Sequence, residues 1–185
     1  MLLTVIVSLA VTVAFAQSSS PKLSIGPEVG LPLGDARQLY TIGAGGSLKL
    51  EVPVSNSGFA FTATAGYVNY FGKKNRYTYY NSYDNHAYST SYREPNVAFI
   101  PIKIGGKYYA NHIFYVEGEV GIANNLSSNG NGTSFAYAPG IGVSIPTPMK
   151  NAFDIGLRYE DWTKDGGNFN QLMLRIAYKF NRLRV

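Results

Sequence analysis

Apolar and polar side chains alternate with a period of two over most of the chain after Pro21, a pattern typical of β-strands with one apolar face. The alternation is clearest over residues 172–180, where Lys and Arg fall on the face opposite Leu, Ile, Tyr and Phe. It recurs over residues 48–52, 100–107, 114–122 and 153–160. Three further segments show weaker contrast because Gly, Ala and Thr fill their second face: residues 23–33, 59–70 and 135–145. The pattern therefore predicts eight strands.

The connections between these predicted strands alternate in length. Those after the second, fourth and sixth strands are short, whereas those after the first, third, fifth and seventh are longer or more polar. The short ones are residues 55–58, 110–112 and 146–151, and the longer ones are residues 34–40, 72–95, 124–134 and 161–168. This layout is typical of an outer-membrane barrel. We therefore predict an all-β fold, an eight-stranded antiparallel up-and-down transmembrane barrel with short periplasmic turns and longer extracellular loops.

A soluble ligand-binding barrel has the same alternation, with its apolar residues inside, and is the main alternative. Three features favour the membrane form. Small residues fill the face opposite the large apolar ones, as the interior of a small barrel requires. Aromatic side chains lie near the ends of the apolar faces, where lipid interfaces place them: Phe59, Tyr108, Phe135, Phe153, Tyr159, Tyr178 and Phe180.

The third feature is charge of both signs on the face opposite the apolar residues. Enclosed charges are tolerated only when they pair with one another. We therefore predict an interior charge network rather than an ion path. Its candidate members are Lys49, Glu51, Lys103, Lys107, Glu117, Glu119, Asp154, Arg158, Glu160, Arg175 and Lys179.

The amino terminus has the pattern of an export signal. Residues 2–16 are apolar and uncharged and end in Ala14-Phe15-Ala16, which is typical of the apolar region and cleavage site of a signal peptide. The stretch is shorter than the ~20 residues that a transmembrane helix needs. We expect a cleaved signal peptide over residues 1–16 and an exported barrel domain over residues 17–185.

Composition removes several classes of function. Charged residues make up 15% of the chain, against about 25% in ordinary soluble domains. The absence of cysteine excludes disulfides, thiolate metal sites and an acylated-cysteine anchor. The formal charge is +5, but the sixteen Lys and Arg residues are scattered and form no basic stripe, so we expect no nucleic-acid partner.

The two histidines offer little chemistry. His112 lies in a predicted short turn, and His86 lies in the long loop near Ser82, Asp84 and Ser89. A catalytic triad requires a rigid scaffold and an orienting partner, which a single flexible loop does not supply. Neither histidine has a second ligand at the spacing of a metal site. We therefore predict no enzymatic activity, no metal and no cofactor.

Residues 72–95 are the most distinctive segment, because tyrosines alternate there with basic and small polar residues. Tyrosine supplies rigid amphipathic contact area, so the segment is a candidate contact for an extracellular protein or glycan. Two other interpretations remain: a strand pair projecting above the membrane with cross-strand tyrosines, or aromatics at the lipid headgroups beside basic residues that pair with phosphates. The candidate contact residues are Tyr77, Tyr79, Tyr80, Tyr83, Tyr88 and Tyr92.

Four strand segments, residues 99–105, 114–121, 155–159 and 172–180, resemble the eight-stranded outer-membrane β-barrel family of Gram-negative bacteria, which includes the small OmpA-like and OmpX-like barrels. The resemblance covers the whole mature chain. It implies a monomeric, non-enzymatic outer-membrane protein that contacts lipids and anchors in the cell envelope, with its extracellular loops available for binding or adhesion. The alternatives are a secreted lipocalin-like barrel for a small apolar ligand and a lipid-modifying outer-membrane enzyme.

Two features depart from the regular pattern. In the family that the chain resembles, the last strand ends on an aromatic residue that the assembly machinery recognises, and Phe180 occupies that place, but residues 181–185 follow it. Pro27, Pro101 and Pro139 lie within predicted strands and each removes a ladder donor. We therefore expect bulges or strand ends at these prolines.

Overall fold

The described part of the chain folds almost entirely into β-strands, as the period-two alternation predicts. This computed structural model describes residues 20–55, 57–81, 83, 86–127, 132–148, 151–164 and 166–180, so the predicted signal peptide lies outside the described residues. Within them, no helix is both long and apolar enough to cross a membrane. The elements of the described residues are β1 (Lys22–Pro32), α1 (Ala36–Leu39), β2 (Tyr40–Pro53), β3 (Phe59–Gly72), β4 (Lys74–Asn81), β5 (His86–Arg93), β6 (Val97–Tyr109), β7 (Phe114–Asn125), β8 (Gly132–Pro146), β9 (Ala152–Lys164) and β10 (Gly167–Phe180).

Eight of the ten strands in the described residues form a closed antiparallel barrel. The order around the wall is β1, β2, β3, β6, β7, β8, β9 and β10, and β10 pairs with β1 to close it. The predicted eight-stranded antiparallel barrel is confirmed. We call the end that carries the β2–β3, β6–β7 and β8–β9 connections the turn end, and the opposite end the loop end.

Within residues 72–95, predicted as a loop or as a strand pair above the membrane, β4 and β5 pair and continue two barrel strands. The β3–β6 ladder reaches the pair Tyr70 and Val97, and β4 and β5 begin with the pair Lys74 and Arg93. Between these two pairs the chain advances four residues from β3 to β4 and the same number from β5 to β6. The register of the barrel ladder therefore continues unchanged into the hairpin. The tyrosine hairpin, which we define as β4 and β5, therefore rises from the barrel wall as an extension of β3 and β6.

The β9–β10 connection is also shorter than the loop predicted over residues 161–168. Strand β9 continues to Lys164 and β10 begins at Gly167. Gly166 has a φ of 81°, a left-handed conformation that glycine adopts without steric cost. The polar residues at this point therefore belong to strands that extend beyond the apolar belt, and the prediction of a long loop is wrong.

The prolines produce neither the expected bulges nor strand ends. Each lies inside a strand and keeps its pairing with one neighbouring strand, while the ladder to the other neighbour skips two pairs and resumes in the same register. The backbone N–H of a strand residue points toward only one neighbour, so the missing donor interrupts only one ladder. The retained partners are Gly46 for Pro27, Ala123 for Pro101 and Gly118 for Pro139.

A cluster of large apolar side chains, which we call the aromatic plug, fills the interior at the loop end. The rings of Trp162 and Phe169 stack with centroids 5.5 Å apart, and Tyr70 meets Trp162 edge-on at 6.0 Å. The alternation pattern of the sequence does not predict this cluster. Its members are Val68, Tyr70, Val97, Phe99, Ala123, Ala136, Trp162 and Met173, with Tyr40 and Phe169 packed against them.

Interior tyrosines explain why glycines lie beside them on the adjoining part of the wall, where Gly142 pairs directly with Tyr115 and Gly43 with Tyr70. The Tyr115 ring lies against Gly142 so closely that a Cβ there would stand 2.3 Å from the ring, and a Cβ at Gly156 would stand 2.8 Å from its hydroxyl. At the loop end, a Cβ at Gly43 would stand 2.4 Å from the Tyr70 ring. These glycines therefore permit close contact between the rings and the backbone.

Candidate functional site

Charged side chains fill the barrel interior between the aromatic plug and the turn end. All eleven residues of the predicted charge network are buried there, together with Glu28, which the sequence analysis missed. Glu28 shares the face of Ser24 and Gly26, opposite Leu23 and Ile25, so the alternation itself contained the signal. With Glu28 the network holds six acidic and six basic residues and is formally neutral. The formal charge of +5 therefore belongs to residues outside it.

Near the turn end, Lys107 and Lys179 share two carboxylates. The Lys107 ammonium lies 3.0 Å from Asp154 and 3.4 Å from Glu51, and the Lys179 ammonium lies 3.4 Å from Asp154 and 3.6 Å from Glu51. The Tyr115 hydroxyl donates to Asp154 at 2.7 Å, and its ring centroid lies 3.8 Å from the Lys107 ammonium. Two cations and two anions therefore neutralise each other in this layer.

At mid-height, Lys49 bridges two glutamates on β7. Its ammonium lies 2.7 Å from Glu117 and 3.2 Å from Glu119, and the Thr64 hydroxyl donates to Glu119 at 2.6 Å. Lys49 comes from β2 and the glutamates from β7, so the pairing spans the interior from wall to wall. Pairs of this kind hold opposite sides of the barrel together.

Closer to the plug, Glu160 accepts from both Lys103 and Arg158. The indole N–H of Trp162 also donates to Glu160 at 3.1 Å, which links the charge network to the aromatic plug. Arg158 makes a second ion pair with Glu28 at 2.8 Å. The carboxylates in this layer thus have several donors each, as buried charges require.

The last member of the network, Arg175, is held by hydroxyl groups. Its Nε donates to Ser47 at 2.8 Å, and the Ser47 hydroxyl donates to Glu28 at 2.5 Å. One terminal nitrogen of Arg175 donates to the Ser24 hydroxyl at 3.0 Å. This chain of contacts joins β1, β2 and β10 across the barrel seam.

The tyrosine hairpin has two chemically distinct faces. Tyr77, Tyr79, Tyr88 and Tyr92 lie on one face by strand alternation, and the directly opposite pair Tyr79 and Tyr88 stack with centroids 5.6 Å apart. These four side chains are exposed, as are Tyr80 on the other face and Tyr83 near the tip. Four of the six candidate contact residues are therefore brought together, and two are not.

The second face of the hairpin is cationic. Lys74 and Arg93 are directly opposite each other and Arg76 follows two residues along. Neither β4 nor β5 contains an acidic residue, and no carboxylate among the described residues forms an ion pair with these three. Since the register continues from β3 and β6, this face follows the interior side of the wall, and the tyrosine face follows the outer side.

The histidines do not assemble into a site. His86 and Ser89 lie on opposite faces of β5, whereas Ser82 and Asp84 lie outside the described residues. His112 is exposed in the turn between β6 and β7, far along the chain from either. In the part of the chain that the structure describes, no three His, Cys, Asp or Glu side chains are grouped to hold a metal ion.

No protein-family profile matches the sequence, and no curated protein matches it. Solved structures share the fold, and three of them illustrate it. Ail, the attachment invasion locus protein of Yersinia pestis, has 18% identity and a TM-score of 0.52 over 86% of this chain and 97% of its own. Neisserial surface protein A has 12% identity and a TM-score of 0.51 over 88% of this chain and 96% of its own.

The third structure is the outer membrane protein AlkL in lipid bilayers, with 14% identity and a TM-score of 0.52 over 91% of this chain and 93% of its own. At these identities the similarity concerns the fold. Together with the closed barrel described above, it confirms the architecture that the sequence resemblance implied. This chain has the fold of the small eight-stranded outer-membrane β-barrels.

Proposed function

We propose that this chain is a non-enzymatic integral outer-membrane protein that anchors in lipid and presents the tyrosine hairpin to an extracellular protein or glycan. One observation carries the anchoring role: the polarity of the wall is inverted relative to a soluble protein. On β6, the side chain of Ile104 is 63% exposed, whereas its neighbour Lys103 is 1% exposed. Water would favour the opposite arrangement, but hydrocarbon favours this one.

The same inversion recurs around the barrel. Leucine, isoleucine, valine and aromatic side chains cover the outer surface, and each would cost about 1.5–3 kcal/mol if left in water rather than buried. Representative outward residues are Ile25, Leu48, Phe61, Ile102, Val116, Val120, Ile141, Leu157 and Ile176. An apolar surface that continues around the whole barrel supports insertion in a membrane.

The contents of the barrel argue against the soluble alternative. A lipocalin-like barrel requires an apolar cavity for its ligand, and here the interior of the described residues holds the charge network and the aromatic plug. Exposed aromatics also lie near both ends of the wall, as in lipid-interface girdles. Phe59, Tyr108, Phe153 and Phe180 lie at the turn end, and Phe135 and Tyr137 at the loop end.

The tyrosine hairpin supports the binding role. It extends eight residues per strand beyond the wall, and its contacts are almost entirely between β4 and β5. An element that contributes little to the barrel but exposes five tyrosines, with Tyr83 near its tip, has the composition of a protein or glycan contact. Short connections at the turn end and this long hairpin at the loop end favour an orientation with the hairpin outside the cell.

Fractionation of a Gram-negative host that expresses the chain tests the anchoring role. We expect the protein in the outer-membrane fraction, with a gel mobility that changes only after boiling, because the lipid-embedded barrel resists unfolding. Recovery as a soluble periplasmic protein would contradict the proposal. Cleavage after Ala16, read by amino-terminal sequencing of the purified protein, tests the predicted signal peptide.

A loop replacement tests the binding role separately. Joining Lys73 to Glu94 through a two-residue turn removes β4 and β5 without changing the β3–β6 register. We expect the barrel to fold and insert as before, while adhesion of expressing cells to host-cell protein or glycan surfaces is lost. Retained adhesion with the replacement would assign any binding to another segment. A hairpin carrying Tyr79→Ser and Tyr88→Ser is the finer test, with Thr78→Ser and Ser89→Thr as the matched control.

A further inference from the structure

The turn end of the barrel contains a cavity that the proposed function does not use. We call it the turn-end cavity. Its volume is about 580 Å³ and its polar lining includes Lys22, Glu51, Tyr109, His112, Ser144 and Lys179. This size lies within the range of small-molecule sites, about 300–1,000 Å³.

The cavity is closed at its inner end. The Lys107–Asp154 pair lies directly beneath Glu51 and Lys179, and both side chains of that pair are buried. The aromatic plug closes the barrel further along the axis. Because the buried charge network and the aromatic plug lie between this cavity and the loop end, we expect a molecule that enters from the turn end to stay there, which suits binding rather than passage.

The charge at the cavity is unbalanced. Both oxygens of Glu51 accept from the Tyr109 hydroxyl, at 2.9 and 3.0 Å, and Lys107 and Lys179 lie near the same carboxylate. Lys22 is the directly paired strand neighbour of Glu51, yet it forms no ion pair among the described residues. Lys107, Lys179, Asp154 and Glu51 already balance one another, two of them lining the cavity, so Lys22 adds one positive charge to it.

Hydrogen-bond donors face the same space. The Lys179 ammonium donates to Tyr109 at 2.8 Å and to Asp154 at 3.4 Å, which uses two of its three N–H groups. His112 is exposed at the rim. The remaining walls are apolar and include Pro53, Pro146 and Ala152.

From this arrangement we infer that the turn-end cavity binds a small organic anion, a molecule with one carboxylate or phosphate on a sugar-sized body. The anionic group would lie between Lys22 and Lys179, and the body would contact the apolar wall. In the proposed orientation the cavity opens to the periplasm. The inference itself rests on the cavity's own geometry, and a binding experiment on purified protein tests it independently of membrane location.

The test is an NMR titration of the ¹⁵N-labelled barrel in amine-oxide detergent micelles, which contain neither sugar nor phosphate. Glucose 6-phosphate is expected to shift the amide signals of Gly58, Ala60 and Ala152 saturably, whereas glucose is not. Inorganic phosphate is expected to bind more weakly than glucose 6-phosphate because it cannot contact the apolar wall. Equal affinity for glucose, equal affinity for inorganic phosphate, or no saturable shift with glucose 6-phosphate would each overturn the inference.

Lys22→Gln removes the positive charge at the rim and leaves every ion pair of the charge network in place. We expect it to weaken glucose 6-phosphate binding by about ten- to a hundredfold, as the loss of one charged hydrogen bond does. Lys73→Gln at the loop end is the matched control and should leave the affinity unchanged. An equal loss in both variants would show a nonspecific charge effect and would overturn the inference.

Discussion

The Lys107 ammonium on β6 lies 3.0 Å from the Asp154 carboxylate on β9, three strands away around the wall, and neither side chain is exposed. This contact replaces the apolar core that a soluble barrel of this size would have. Removing one partner of a buried ion pair leaves an uncompensated charge, at a cost of about 3–5 kcal/mol.

Lys107→Met should therefore lower the unfolding free energy by about 3–5 kcal/mol, because Asp154 and Glu51 both lose a cation. Urea titration of the protein in lipid vesicles measures this. Lys107→Met combined with Asp154→Leu should recover part of the loss, and Lys73→Met at the hairpin base should change nothing. Additive losses in the double variant would mean that the two residues do not interact.

A charged side chain on the outer wall should lower the unfolding free energy of the barrel, as the loss of one partner of an interior ion pair does. Leu157 and Ile176 are outward residues on β9 and β10. Lys at either position should destabilise the barrel in lipid by ~2–4 kcal/mol near the bilayer midplane. Thr90→Lys on the tyrosine hairpin should have no effect on unfolding. Equal tolerance at Leu157 and Thr90 would count against insertion of the wall.

The contact between Tyr115 and Gly142 gives a test of interior packing. A methyl group at Gly142 would collide with the Tyr115 ring, whereas a methyl group at Gly118 would meet nothing within 4 Å. Gly142→Ala should cost about 1–3 kcal/mol of unfolding free energy, and Gly118→Ala should stay within about 0.5 kcal/mol of the parent. If the two variants unfold at the same urea concentration, the ring does not occupy this position.

Gln171 predicts a stabilising substitution. Its side chain is fully buried beside the plug, and among the described residues neither its amide oxygen nor its amide nitrogen has a hydrogen-bond partner. Gln171→Met keeps the length of the side chain and removes both polar atoms. We expect a gain of about 1–3 kcal/mol, the desolvation cost of an unpaired group. A loss of stability in vesicle unfolding would show that the amide is bonded in the bilayer form.

The barrel and the positions of its interior charges could be predicted because β-strand alternation separates two unlike environments. On β9, for instance, Leu157 and Arg158 differ so strongly that their faces follow from the sequence. On β1, Pro27 weakens the alternation of apolar and polar residues. The neighbouring Glu28 was therefore not predicted as an interior charge.

The plug could not be predicted in the same way, and the hairpin is only one of three interpretations of residues 72–95, because the alternation of apolar and polar residues disappears where both faces of a strand share one environment. Near the loop end of β3, outward Tyr67 and Phe71 flank inward Val68 and Tyr70, so both faces are apolar or aromatic. In β4 and β5 no described side chain is buried on either face, so no core-facing apolar row marks the strands. To locate both elements one must know which strands pair. The alternation of residues along the sequence does not contain this information.

The orientation of the wall can be measured directly with a nitroxide label at Ile104→Cys and another at Tyr83→Cys, each in lipid bilayers. If the outer wall faces hydrocarbon, the label at position 104 will relax with dissolved oxygen and not with a water-soluble nickel chelate. The label at position 83 will show the reverse. A label at position 104 that responds to the nickel chelate as strongly as the one at position 83 would contradict the membrane barrel.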